Sequence, residues 1–297
     1  MAKNKKGIII DAVVLLDKPK GISSNAILQK VKRLFNAQKA GHTGSLDPIA
    51  TGILPICLGQ ATKLSQFLLN ANKRYTFYAQ LGATSTTGDI EGEITSINKP
   101  LDFSKEQIIQ VLSEFTGEIS QIPPMYSALK KDGQPLYKLA RENITIERQP
   151  RNITIFEINF IEYKNNILVC DVLCSKGTYI RTLAEDIAKK LGSGAYLKAL
   201  QRTEFAHYKL KDAYQFSQLE ELKDNNNLMS CLSKTEDMII NFPSLEISND
   251  ELREIKFGRT ITKDIPDYKW LKLFCANQFI GIAQSTDNIV QPKRLFI

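Results

Sequence analysis

The chain has 297 residues, 43% hydrophobic and 24% charged, which is the balance of a folded protein too long for one ordinary core and neither disordered nor membrane-embedded. Lysine and arginine number 39 against 32 acids, a net +7 that suits an anionic partner without naming one. Five cysteines without a CxxC pair, only His42 and His207, and no run near the roughly 20 apolar residues of a membrane span argue against a disulfide scaffold, a zinc site and a bilayer helix, so a cytoplasmic protein is expected.

The apolar run from Gly7 to Leu16 follows three lysines as a signal peptide would, but Asp11 interrupts it and no small-residue cleavage site precedes Asp17-Lys18-Pro19. It reads as a strand, which Val13 to Asp17 carries up to the following turn. A basic turn, Lys18-Pro19-Lys20-Gly21, leads to Ser23 or Ser24, either of which can cap a helix carrying Ile27, Val31 and Leu34 at near-helical spacing. In Gly41 to Gly52, glycines and small hydroxyl residues surround Asp47. Two readings stand: Asp47 as N-cap with Pro48 at the first helical position, or a carboxylate set in backbone that a bulky ligand can approach closely. A phosphate-cradling loop is excluded because no Gly-Lys-Ser/Thr ending follows.

Thr62 to Leu69 continues as helix. Tyr75, Phe77, Ala79 and Leu81 alternate as on one face of a half-buried strand. Asp89, Glu91 and Glu93 are read as turn and surface acids, and Ser104 to Phe115 as an amphipathic helix. Ile153 to Phe160 and Ile167 to Leu173 make a hairpin about Lys164-Asn165-Asn166. In residues 175–191, Thr178 can cap a helix whose core stripe is Ile180, Leu183, Ile187 and Leu191. Arg181 then falls in the first turn, where the helix dipole disfavours a cation by about 0.3–1 kcal/mol. Either it is a solvated arginine tolerating that cost, or it faces an anion.

Residues 215–240 are acidic and broken by Asn225-Asn226-Asn227, which suggests a boundary or connecting region. Beyond it, a helix over Asn249 to Phe257 and strands Trp270 to Cys275 and Phe279 to Gln284, joined at Asn277, form a small β-rich module. The whole predicts an α+β fold with a largely antiparallel sheet flanked by helices in residues 1–240, and a separate module in 241–297.

Six segments in order, Gly41 to Gly52, Lys73-Arg74-Tyr75, Thr87-Gly88-Asp89, Pro123 to Ala128, Gly177 to Leu183 and Gly192 to Ala195, resemble the bacterial tRNA pseudouridine-55 synthase family, the TruB type. The resemblance runs from about Leu15 to Phe205. It continues more weakly through Phe279 to Ala283 and Pro292 to Leu295 into a module similar to a PUA-type RNA-binding domain. It implies isomerisation of uridine 55 in the TΨC loop of tRNA, by a base-flipping monomer that uses no cofactor and no metal. Asp47 matches the family's catalytic aspartate, Tyr75 the tyrosine that stacks on the target base, and Arg181 the arginine that pairs with the aspartate. His42 matches a histidine contacting the RNA near the flipped base, and Tyr179 and Leu200 match further pocket positions. Lys18, Lys20, Lys63 and Lys73 are expected to grip RNA. The insertion at about 123–150, with Lys130, Lys131, Lys138 and Arg141, resembles the segment that closes on the tRNA arm.

Two rival readings use the same residues. One is an RNA-binding or RNA-folding protein whose pocket is incidental. The other is a metal-assisted hydrolase with Asp47, Asp89 and Glu91 as paired carboxylates.

Overall fold

The computed structural model describes residues 7–297. Strand β1 (Ala12–Lys18) is buried along nearly its whole length and turns into helix α1 (Ser24–Leu34). Ser23 is the cap: its hydroxyl accepts from the Ala26 amide, and Ile27, Leu28 and Val31 face the core. Strands β2 (Ala40–His42) and β3 (Thr51–Leu58) bracket the Asp47 loop, and β4 (Lys73–Leu81) buries alternate residues from Lys73 to Leu81. The helix expected from Thr62 divides into a 3-10 turn over Gly59–Lys63 and a short helix over Ser65–Leu69.

Ser104 caps a helix over Lys105–Ser113 with a reciprocal Gln107 contact. Strand β5 (Gly117–Gln121) then precedes the insertion, which carries a two-residue hairpin and a helix over Leu136–Arg141. The expected hairpin is β6 (Arg151–Lys164) with β7 (Ile167–Cys174), turning on Asn165 and Asn166, both at positive φ. Helix α2 (Ile180–Lys190) and strand β8 (Ala195–Phe205) follow.

Residues 215–240 are not a linker. Strand β9 (Tyr214–Gln215) pairs parallel to β1, and β10 (Leu232–Lys234) pairs antiparallel to it, while Leu219 and Cys231 are buried beside α1. The segment covers the edge of β1, where unpaired backbone groups would otherwise be left. The main sheet has eleven strands, with the path β9-β1-β3-β8-β4-β7-β6-β5. Most pairings are antiparallel; β3 and β8 meet in parallel at Thr51–Gly52 and Gln201–Arg202. That junction needs a glycine: a Cβ on Gly52 would stand 2.2 Å from the Arg202 carbonyl oxygen.

A second sheet of five strands is built from residues 244–295, with a helix over Asn249–Lys256 capped by Ser248. It packs on the first. Phe242, Trp270, Phe279 and Phe296 join the apolar cluster of Val13, Leu15 and Ile53, and Phe67 meets Phe242 at 5.2 Å and Trp270 at 5.0 Å edge-on.

Candidate active site

The loop between β2 and β3 is held by two side chains that come from the start of the fold. The Ser24 hydroxyl accepts from the Leu46 amide at 2.7 Å and donates to its carbonyl at 2.9 Å. The Lys18 ammonium donates to the carbonyls of Pro19, Ile22 and Pro48 at 2.9, 2.7 and 3.3 Å. Asp47 therefore sits between two pinned neighbours. Residues 47–50 close a turn, with the Ala50 amide on the Asp47 carbonyl, so the Asp-Pro pair does not open a helix.

Lys18 corrects an expectation. It is fully buried at the end of β1, with its ammonium turned onto backbone carbonyls, while Pro19, Lys20 and Gly21 of the turn stay exposed. Burial pushes its pKa down to about 8, against an upward pull from Asp47.

Arg181, the second residue of α2, is 6% exposed. Its Nε stands 3.1 Å from Asp47 Oδ2 and its Nη1 3.5 Å from Asp89 Oδ2. Nη1 also donates to the Thr87 carbonyl at 2.8 Å, and Nη2 to the Tyr126 carbonyl at 2.7 Å. The cation misplaced in a first turn thus has two anions. The helix cap differs from expectation: Tyr179 occupies it without a side-chain bond, and the Thr178 hydroxyl turns back to the Ser175 carbonyl. Burial pushes the Asp47 carboxyl above the ordinary aspartate value, Arg181 opposes that shift and Asp89 adds to it.

Asp89, expected as a turn and surface acid, is 3% exposed, accepting from the Thr87 hydroxyl at 2.7 Å and the Glu91 amide at 3.0 Å. Only its place beside Gly88 in a recognised motif hinted at this, since an Asp after Gly looks the same in an exposed turn.

Asp47 and Arg181 divide two cavities. A slot of about 120 Å³ is walled by Tyr75, Tyr179, Ile180 and Leu200, and opens on both charged groups. Tyr75 and Leu200 come from neighbouring strands β4 and β8, in a register that pairs Phe77 with Leu200 and Tyr75 with Arg202. An adjoining cavity of about 370 Å³ lies under the insertion, against Tyr126, Ser127, Tyr137 and Arg141. Asp47, Tyr75, Tyr179, Arg181 and Leu200 are thus brought together. His42 and Lys63 line neither cavity. His42 pairs with Ile56 at the base of the loop, where burial lowers its pKa. Lys63 stands 5.6 Å over the Phe296 ring at the contact between the two sheets.

Among the described residues, no three His, Cys, Asp or Glu side chains gather to hold a metal, and a guanidinium fills the space between Asp47 and Asp89.

Residues 32–180 match the TruB family pseudouridylate synthase N-terminal domain. Residues 181–239 match the tRNA pseudouridylate synthase B C-terminal domain, and 243–296 the C-terminal region of pseudouridine synthase II TruB. The tRNA pseudouridine synthase B of Actinobacillus pleuropneumoniae serotype 5b is 46% identical over 298 residues, covering 98% of this chain and 97% of that protein. The protein of the same name from Haemophilus influenzae strain PittEE is 46% identical over 292 residues, with 96% and 95% covered. Among solved structures, a Cbf5-Nop10-Gar1 complex contains a chain of like fold, with TM-score 0.73 and 24% identity over 96% of this chain and 85% of that one. An H/ACA RNP bound to a substrate RNA gives TM-score 0.72 at 21% identity, over 100% and 92%. The chain belongs to the TruB family of pseudouridylate synthases, enzymes that isomerise uridine to pseudouridine.

Proposed function

We propose that this chain acts on uridine 55 in the TΨC loop of transfer RNA, with Asp47 as its catalytic carboxylate. The observation that carries the reading is the Asp47–Arg181 pair, 3.1 Å apart, at the mouth of a slot walled by Tyr75, Ile180 and Leu200. The relatives at 46% identity bear names that specify tRNA.

The chemistry follows from the side chains. A base inside folded RNA must be extruded, which costs a few kcal/mol, and stacking on an aromatic ring returns about 1–3 kcal/mol. Tyr75 offers that ring, and Leu200 and Ile180 the apolar walls. The ionised Asp47 carboxylate then acts on the nucleoside as nucleophile or base. The bond from ribose C1′ to N1 breaks, the base turns within the slot, and C1′ bonds to C5. The proton on C5 is lost and N1 gains one, so atoms balance without a cofactor. Arg181 keeps Asp47 ionised where burial favours the neutral acid. Tyr179 closes the slot, and His42 contacts RNA beside it.

Residues 1–240 form the catalytic domain and 241–297 a PUA-like RNA-binding domain. Phosphates are gripped by exposed Lys20, by Lys63, and by Lys130, Lys131, Lys138 and Arg141 of the 123–150 insertion, all four exposed and the last lining the larger cavity. The protein acts as a cytoplasmic monomer.

The test is a nucleoside composition assay of a tRNA transcript after incubation with the purified protein, with the modified position mapped. Pseudouridine at position 55 is expected. Its absence, or its formation elsewhere in the transcript, overturns the assignment.

A further inference from the structure

Arg202 on β8 is the largest fully buried side chain among the described residues, 1% exposed, and forms no ion pair with any described carboxylate. Such a group is costly. An isolated buried cation loses its hydration, and an apolar side chain of like size is often neutral or stabilising in its place. Local rules broken in this way point to a use for the charge.

The contacts say what that use is. Arg202 Nε donates to the Ile53 carbonyl at 2.8 Å and Nη2 to the Gly44 carbonyl at 3.4 Å. Gly44 lies three residues before Asp47 and Ile53 six after it, so one planar group spans both ends of the loop. Phe205 supports the guanidinium from 4.9 Å. Across the sheet, Arg202 is paired in register with Tyr75, which places the two side chains next to each other on the same face. Gly52 has no side chain, which lets β3 approach the Arg202 backbone closely enough for these contacts.

We propose that Arg202 is a positioning residue whose buried guanidinium holds the Asp47 loop and the Tyr75 ring in one frame, fixing the width of the slot. It touches no substrate. The inference rests on the reading of Asp47 and Tyr75 given above.

Four proteins are compared on the same tRNA transcript, for affinity, single-turnover rate and melting temperature. They are wild type, Arg202→Met, Arg202→Lys, and Leu219→Ala as a control for lost stability far from the slot. Arg202→Met should bind tRNA within about threefold of wild type yet isomerise roughly 10²-fold more slowly, the penalty of misplaced reacting groups. Arg202→Lys, which reaches fewer acceptors, should fall between. Leu219→Ala should keep the wild-type rate below its melting temperature. A folded Arg202→Met or Arg202→Lys at full rate overturns the inference, as does a Leu219→Ala slowed to the same extent. Failure of both arginine variants to fold also counts against it, since the side chain would then serve the fold itself. Wild type that makes no pseudouridine defeats the parent reading and this one together; active wild type beside full-rate arginine variants defeats this one alone.

Discussion

Asp89 and Asp47 meet at different nitrogens of one guanidinium, Asp89 Oδ2 lying 3.5 Å from Arg181 Nη1 and Asp47 Oδ2 3.1 Å from Nε. Asp89 is the buried member of the pair, and the Asp47 side chain is the exposed one, facing the cavities. The charge that orients Arg181 therefore also raises the pKa of Asp47.

This geometry sets the direction of a pH effect. A carboxylate needed in ionised form loses activity as pH falls through its pKa, and burial and Asp89 place that of Asp47 above the ordinary value. Asp89→Asn removes the raising charge and leaves the effect of burial, so the acid limb of the single-turnover profile should move to lower pH. The plateau rate should also drop by about tenfold as Arg181 loses a charged partner. An acid limb that stays in place or moves upward refutes the coupling.

Arg181→Lys keeps the cation but not the planar fork. Four acceptors, Asp47, Asp89 and the carbonyls of Thr87 and Tyr126, are arranged around the guanidinium, and an ammonium cannot face them all. We expect a rate loss of about 10²-fold or more with tRNA affinity little changed. A wild-type rate shows that the fork is not used.

Asp47→Asn preserves size and the pinned backbone on either side but cannot act as a carboxylate. Turnover should fall by at least roughly 10³-fold, while tRNA still binds. Retained pseudouridine formation removes Asp47 from the chemistry.

Much of this site was legible in the sequence, and the exceptions share a cause. Arg181 stood out because a cation in a first turn breaks a local rule, and the burial pattern of β4 followed from strict alternation. Asp89 and Lys18 escape a reading of the sequence because each borders a turn, and nothing local tells which side chains at a turn point inward. Lys18 is buried by the convergence of carbonyls from three positions, one of them 30 residues away. The 215–240 segment reads as a boundary or connecting region because its strands, two and three residues long, are too short for periodicity to register. What makes them strands is the open edge of β1, some 200 residues earlier in the chain.

Lys18→Met should leave the Pro19, Ile22 and Pro48 carbonyls without a donor and destabilise the protein by about 1–3 kcal/mol. In the folded protein the pKa of Lys18 falls from 10.5 to about 8, so between those values the unfolded chain binds more protons and the contribution of this residue to stability rises with pH. Denaturant titrations on either side of that window should show the rise in wild type and its loss in Lys18→Met. An identical pH dependence in both proteins contradicts the assignment of the buried amine.

Residues 241–297 carry eight basic and seven acidic side chains, which leaves six of the seven net positive charges in residues 1–240 together with the proposed catalytic groups. A protein ending near Asn241 should therefore modify an isolated TΨC stem-loop and keep most of the salt dependence of binding. The packing adds a condition. Removing Phe242, Trp270 and Phe296 bares Phe67 and its neighbours, an apolar patch that favours self-association. Phe67→Gln in the truncated protein should relieve that stickiness without touching the slot, since Phe67 lines neither active-site cavity. Full-length and truncated proteins are compared on the same stem-loop across a salt series, with aggregation followed by light scattering. A monodisperse, folded truncation that makes no pseudouridine, or whose affinity responds to salt far less steeply, shows that the terminal module supplies more than placement.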